Sequence, residues 1–410
     1  MKPQTLKGFR DLLPAQMNLR LKVIDTCRSV FESFGFEPLE TPSIEYSSTL
    51  LEKYGEEADK LVYSFKDNGE REVGLIYDLT VPTAKVLSMY QNDIPLPFKR
   101  YQIQRVWRAD KPQRGRYREF TQCDIDIFGV KSPRADAEII TIIDTVLHKL
   151  GIKNFSIKVN SRQILFQILK KAGIENEKQQ LSILQTIDKL DKKPREEVAL
   201  ELEKKGFSKK QADEIFGLLD KAKIEDDTNL LQVVEAAKSM GVKNYRFVPH
   251  MVRGLNYYTG TIFETVVEGV QIGSITAGGR YDHLIAKLGG PEITGIGTTF
   301  GFDRICDVIE ELGLQQESDT VIKVLVTIFP GCAEESNKIV AAIRGAGINC
   351  EAYLEEKDIN KQMKYADRKR IPYVIIAGPE EIKNNVVKLK DMKTHEQKEQ
   401  SVEEVIKFLS

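Results

Sequence analysis

Cysteine is sparse and scattered: five residues, at 27, 123, 306, 332 and 350, with no CxxC pair and no histidine at metal-ligand spacing. That pattern excludes a cysteine zinc site and a disulfide framework, and reads as the reduced thiols of a cytoplasmic protein. No apolar run approaches the ~20 residues a membrane helix needs. The start, MKPQTLKGFRDLLP, has no apolar stretch of the secretory kind, so no export signal is read there. Charge of one sign is also lacking: 60 Lys and Arg stand against 61 Asp and Glu, for a net charge of −1. Any nucleic-acid surface must therefore be a local patch rather than a global basic field. The sequence has no GxxxxGK[ST] and no GxGxxG, which excludes a P-loop and a dinucleotide fingerprint. The four histidines (148, 250, 283 and 395) are dispersed and read as surface or core residues, although His250 and His283 flank motifs.

The chain does have a composition able to form cores. Of its 410 residues 41% are hydrophobic and 30% charged, as in globular proteins of two or three domains. Helical spacing over 16–34 sets Val23, Ile24, Cys27, Val30, Phe31 and Phe34 on one side. A short extended piece, FEPLETP, follows. Strands are expected over 61–77, a helix over 79–90, two strands joined by a loop over 99–129, and a helix over 134–149. Residues 163–239 turn Lys-, Glu- and Leu-rich with helical spacing. They are either an inserted helical subdomain or further helices of the first domain. Strands and glycines return over 245–305. After the polar stretch GLQQESD, strands and helices alternate to the end, which predicts a small separate α/β domain.

Three constellations could do chemistry. The first is a hairpin with eight basic residues between 99 and 118 (Lys99, Arg100, Arg105, Arg108, Lys111, Arg114, Arg116, Arg118) and one acid, Asp110. Arginine forks suit phosphate and carboxylate. In the next strand, period two sets Phe120, Gln122, Asp124 and Asp126 on one face and Thr121, Cys123, Ile125 and Ile127 on the other. The apolar face should meet a core; the polar face suits an amphoteric small molecule beside a polyphosphate. The second constellation is RGLNYYTG, residues 253–260, an arginine with two adjacent tyrosines. The third is the glycine set Gly273, Gly278, Gly279, Gly295, Gly297 and Gly301, with Arg280 and Arg304, where backbone can approach a ligand.

In order along the chain, FGFEPLETPSIEY, VWRADKPQRGRYREFTQCDIDIFG and GIGTTFGFDRI resemble the three motifs of class II aminoacyl-tRNA synthetases. RGLNYYTG and AGGRYDHLI resemble two motifs of the histidyl-tRNA synthetase family, and the resemblance runs over nearly the whole chain. It implies a multidomain α+β and α/β protein. The class II antiparallel-sheet catalytic core would occupy 1–162 and 240–315, the helical insertion 163–239, and an α/β anticodon-binding domain 320–410. It implies a cytoplasmic homodimer, with Pro42 at the dimer interface, that joins L-histidine to tRNA(His) with ATP and Mg²⁺, and no metal held by protein side chains. Departures from the family pattern are Asn256, where Asp is usual, and Ile76, where Arg is common.

By position the resemblance also implies roles. Asp78, Thr80 and Gln122 would hold the α-amino end of histidine, Asp126 and Tyr258 would bracket the imidazole, and Tyr257 would line the pocket. Arg108 would hold the α-phosphate and the substrate carboxylate, and Arg253 would also stabilise charge at the α-phosphate; these two are the candidate catalytic residues. Asp110, Phe120, Arg116, Arg118 and Arg304 would serve ATP, with Phe120 on the adenine. Gln113 and Arg114 would touch the tRNA acceptor end. Lys364 and Arg368, on a basic helix over 358–370, are either a solvated face or a tRNA contact. A regulatory paralogue of this fold would lose the RGLxYY arginine and the C-terminal domain; this chain keeps Arg253, Tyr257, Tyr258 and the C-terminal pattern.

Overall fold

The computed structural model describes residues 2–51, 60–111, 117–253, 257–314 and 320–410. The chain divides into two compact units, Met1–Asp11 with Val23–Leu314, and Leu12–Lys22 with Gln315–Ser410.

The larger unit is built on one eight-stranded sheet in the order β1-β5-β6-β11-β10-β9-β7-β8. Its strands are β1 Glu37–Pro38, β5 Phe98–Trp107, β6 Glu119–Phe128, β7 Phe155–Ser161, β8 Tyr245–Phe247, β9 Thr261–Val267, β10 Thr276–Arg280 and β11 Gly295–Phe300. The six inner strands run antiparallel, and β1 and β8 pair parallel at the two edges. A small sheet in the order β2-β4-β3 is formed by Ile44–Tyr46 (β2), Ser64–Lys66 (β3) and Glu72–Leu75 (β4).

One face of the large sheet is apolar, and helices cover it. Cys123, Ile125 and Ile127 of β6 and Ile296 and Phe300 of β11 are at most 1% exposed. The helix α1 (Pro14–Ser33) brings Phe31 to 5.4 Å from the Phe300 ring and 5.6 Å from Tyr101. The helix α4 (Pro133–Lys149) follows α2 (Ser47–Leu50) and α3 (Thr80–Met89) in the chain. It starts where Ser132 caps Arg134 N, and it buries Ile139, Ile140, Ile142, Ile143 and Val146. The opposite face of the sheet carries the polar side chains.

Residues 162–239 form five helices: α5 Arg162–Lys171, α6 Glu177–Ile187, α7 Arg195–Lys204, α8 Lys209–Lys221 and α9 Thr228–Ser239. Ser161, Asn176, Ser208 and Asp227 accept from first-turn N–H groups and start four of them. Ile183, Leu184, Ile187, Val198, Leu202, Ile215 and Phe216 are buried apolar side chains of these helices. A short helix α10 (Leu284–Lys287) and α11 (Phe302–Glu311) complete this unit.

The smaller unit has a five-stranded sheet in the order β13-β12-β14-β15-β16. Its strands are Val324–Val326 (β12), Cys350–Ala352 (β13), Tyr373–Ile376 (β14), Val387–Asp391 (β15) and Gln397–Gln400 (β16). Helices α12 (Ala333–Gly345), α13 (Ile359–Arg368), α14 (Pro379–Lys383) and α15 (Val402–Leu409) accompany it. Val324 and Val326 join one buried cluster with Ile343 and Val405, while Leu325 joins another with Ala366 and Val374. A strand buried on both sides reads as an unbroken apolar run. The strands β7 and β16 and the helix α14 were not expected from pattern. In β7, Lys158 and Asn160 alternate with Ile157 and Val159 but are buried too, by elements distant in sequence.

Candidate active site

The strand register sets the polar face in rows. One row runs Arg100, Asp126, Gly297, Gly279, Ile262, Asn160; its neighbour runs Gln102, Asp124, Thr299, Ala277, Glu264, Lys158. The polar side of β6 is not solvated: Gln122, Asp124 and Asp126 are each less than 9% exposed.

Asp126 stands at the centre. Its Oδ2 lies 2.5 Å from Arg100 Nη2, and its Oδ1 accepts from the Tyr281 hydroxyl. Arg100, read above among the phosphate-binding cations of the hairpin, is instead 1% exposed and bound to this carboxylate. The sequence indicates the charge on β5; only the register shows that Asp126 faces it. Gly297 makes room, because a Cβ there would fall 1.9 Å from Asp126 Oδ1. Gly279 does the same for Tyr258, whose Cδ1 would lie 2.9 Å from an added Cβ. Burial raises the Asp126 carboxyl above its ordinary range, against the opposing pull of Arg100 and the Tyr281 hydroxyl.

Gln122 points its amide at Asp124, with Nε2 3.1 Å from Oδ2. That bond orients the amide and leaves Gln122 Oε1 buried without a hydrogen-bond partner among the described residues. A buried acceptor of this kind calls for an N–H donor from a ligand. Burial pushes the Asp124 carboxyl up to about 7; the Arg100 charge opposes the rise, and Asp126 and Asp78 add to it.

Asp78 is buried, and its Oδ1 accepts from Val81 N at 3.1 Å, holding it at the mouth of α3 beside half-buried Thr80. Tyr257 and Tyr258 have ring centroids 4.6 Å apart, and the Tyr281 ring lies 6.0 Å from Tyr257. Burial holds all three phenols above their ordinary value, so they remain neutral donors. The fields of Asp78 and Arg253 reach Tyr257, and those of Arg253 and Asp126 reach Tyr258. Asp78, Gln122, Asp124, Asp126, Tyr257, Tyr258 and Arg253 therefore converge.

Arg108 and Arg253 flank this cluster. Arg108 donates from Nε to the Tyr77 carbonyl at 2.9 Å, and its guanidinium sits 5.0 Å over the half-buried Phe120 ring. Arg118 donates from Nε to the Asp110 carbonyl at 2.9 Å, while its backbone N donates to Gly8 O. Arg304 is exposed and donates to Ser274 O at 2.7 Å. Arg253 Nη1 donates to Glu264 Oε2 at 3.1 Å, and its Nε is buried without a hydrogen-bond partner among the described residues. Gln113, Arg114, Arg116 and Asn256 lie outside the described residues. Lys364 and Arg368 are exposed on α13, in the smaller unit.

Sequence reasoning left Tyr281, Lys158, Glu264, Asp188 and Asp191 without a role, though all touch site residues or their partners. Only Tyr281 carried a local signal, next to Arg280 in the AGGRYD motif.

The histidyl-tRNA synthetase family matches residues 8–305, and the anticodon binding domain matches 323–410. A histidine–tRNA ligase from Cytophaga hutchinsonii is 38% identical, with 99% of each chain covered. One from Gloeobacter violaceus is 40% identical over 96% of this chain and 95% of its own. The crystal structure of histidyl-tRNA synthetase from Nostoc sp. PCC 7120 has a TM-score of 0.88 at 30% identity, covering 100% of this chain and 99% of that one. The chain belongs to the histidyl-tRNA synthetase family.

Proposed function

We propose that this chain activates L-histidine with ATP, forming histidyl-adenylate and pyrophosphate, and then transfers histidine to the 3′ end of tRNA(His). The observation that carries the residue assignments is the buried, ligand-ready cluster on β6: an unfilled Gln122 carbonyl two turns of the pleat from a fixed Asp126, with arginines on either side.

In this reading the histidine ammonium meets Gln122 Oε1, Asp78 and Thr80. The imidazole lies between Asp126 and Tyr258, with Tyr257 along the pocket wall. Each carboxylate oxygen can accept more than one hydrogen bond, so Asp126 can serve the ring N–H while Arg100 and Tyr281 hold it. Amino acids without that N–H would leave buried polar groups unpaired. Arg108 holds the substrate carboxylate against the α-phosphate. The carboxylate attacks the α-phosphorus, and Arg108 and Arg253 stabilise the developing negative charge. The ribose hydroxyl of tRNA then attacks the activated carbonyl. No protein nucleophile is needed; catalysis is positioning and charge stabilisation. Phe120, Asp110, Arg116, Arg118 and Arg304 serve the nucleotide.

Mg²⁺ would arrive with the triphosphate. Phosphate oxygens and water would supply most of its donors, with at most one or two protein carboxylates, and it would offset the charge of the phosphates. Residues 320–410 would bind the anticodon stem with Lys364 and Arg368, and Gln113 and Arg114 would meet the acceptor end. A homodimer is supported by the exposed run Pro42, Ser43, Ile44 and Tyr46 in the first motif. The family's part in translation supports a cytoplasmic site of action. No helix among the described residues is long and apolar enough to cross a membrane.

The test is ATP–pyrophosphate exchange with a panel of amino acids. Exchange dependent on histidine alone is expected. No exchange with any amino acid, from folded protein, would overturn the reading.

A further inference from the structure

The proposed mechanism gives no task to the tight 3-10 turn Asp188–Asp191, between α6 and α7 in the helical segment. Its acids nevertheless reach the catalytic sheet. Asp191 Oδ2 lies 2.8 Å from Lys158 Nζ, and its Oδ1 lies 3.0 Å from His250 Nε2. The Lys158 side chain, on β7, is 10% exposed, and its ammonium also lies 3.2 Å from Glu264 Oε1. The second Glu264 oxygen takes Arg253 Nη1 at 3.1 Å. Asp188 lies in the field of Arg253 and accepts the backbone N–H of Val252, the residue before it. Opposite charges thus alternate from Asp191 through Lys158 and Glu264 to Arg253.

We propose that the Asp188–Asp191 turn, acting through Lys158 and Glu264, positions Arg253 for adenylate formation. The inference rests on the assignment of Arg253 to the reacting phosphate. An arginine has several rotatable bonds, and one ion pair does not define its direction. Here Glu264 fixes one end of the guanidinium, and the Asp188 carboxylate with the tethered Val252 backbone fixes its approach. Glu264 is itself shared: Lys158 competes with Arg253 for it, and Asp191 draws the ammonium away. Burial works against the Lys158 charge, but Asp191 and Glu264 outweigh it, so its pKa stands above the ordinary lysine value and the side chain stays charged. Without Asp191 the ammonium would turn wholly to Glu264 and loosen Arg253. Lys158, Glu264, Asp188 and Asp191 are positioning residues; none needs to touch substrate.

The test uses the full chain in steady-state ATP–pyrophosphate exchange with histidine. Asp191→Asn should lower kcat about tenfold, with KM for histidine and ATP within about twofold, since a misplaced group of this kind costs rate rather than affinity. The double variant Asp191→Asn/Lys158→Met should recover most of that kcat, because Glu264 is then left to Arg253 alone. Structural damage would instead add, so the recovery separates positioning from simple destabilisation. Should Asp191→Asn fail to fold, Asp191→Glu carries the same readout by lengthening the arm. An unchanged kcat in the single variant, or a double variant no better than the single, overturns the proposal. Arg253→Ala is run beside them. If it keeps near-normal exchange, the mechanistic assignment fails and this inference falls with it. If it is inactive while Asp191→Asn is normal, only the positioning role fails.

Discussion

Asp124 and Asp126 stand two residues apart on one strand, and burial acts on both, but their neighbours divide the work. Asp126 has Arg100 and the Tyr281 hydroxyl, a fixed carboxylate suited to a ring N–H. Replacing it by Asn keeps the shape and removes the charge. Histidine-dependent exchange should lose about 10- to 100-fold in kcat/KM, the equivalent of a charged hydrogen bond of about 1.5–3 kcal/mol. An unchanged KM for histidine would remove Asp126 from the pocket. Asp124 instead orients Gln122 and titrates near pH 7. Its native pKa lies above its unfolded one, so the native state binds the extra proton between about pH 4 and 7. Stability from this group therefore falls as pH rises through that window, and the penalty is complete above it. Asp124→Asn, which still accepts from Gln122, should melt above the unaltered protein at about pH 8, with the gap narrowing as pH falls and closing near about pH 4. A pH-independent gap in thermal melts would refute the shift. Alternation along FTQCDIDIFG was enough to set Gln122, Asp124 and Asp126 on one face. It was silent on burial and on Arg100, because which residue lies opposite depends on register, not on local spacing.

At the scale of elements, the site is a row across paired strands, and β11 is shaped to leave it open. A Cβ at Gly297 would stand 1.9 Å from Asp126 Oδ1 and 2.7 Å from the Ile125 carbonyl. The backbone carbonyl cannot swing aside as a flexible side chain could. Gly297→Ala should therefore displace Asp126 and cost about 100-fold in histidine activation, with overpacking adding about 1–3 kcal/mol of destabilisation. Exchange kinetics beside a thermal melt check both; near-normal exchange would show that β11 can shift. The longer helices α1, α3, α4, α12, α13 and α15 were legible because apolar spacing and start signals are local, as at Pro133 of α4. The helices α2, α10, α11 and α14 were not, being short or, for α11, following a glycine-rich strand end. The strand β7 was not, because its polar residues Lys158 and Asn160 are buried by partners on other elements. Asn160 Nδ2 donates to the Pro249 and Met251 carbonyls, and Lys158 meets Asp191 and Glu264.

Over the whole molecule, two units carry two recognition tasks, and net charge is silent on both because the charges nearly balance. On α13, Lys361, Lys364 and Arg368 are exposed, whereas Lys369, just after the helix, is held by Glu351 at 2.5 Å. Changing those three cations to Ala should flatten the dependence of log tRNA affinity on log salt by about 0.7–0.9 for each phosphate they no longer neutralise. A slope equal to that of the unaltered protein would leave α13 a solvated face. The sequence by itself determined the family, from five short motifs in order, and most of the helices and strands. Those signals are local: periodicity, caps, turn residues and residue type are readable within a few positions. The tertiary structure alone decided which charges meet. Arg100 faces Asp126 through strand register, Tyr281 reaches the same carboxylate across 155 positions, and Asp191 reaches Lys158 from a helical segment 33 positions away. A period of two says which face a side chain takes; only the folded register, set by many distant pairings together, says what it will find there.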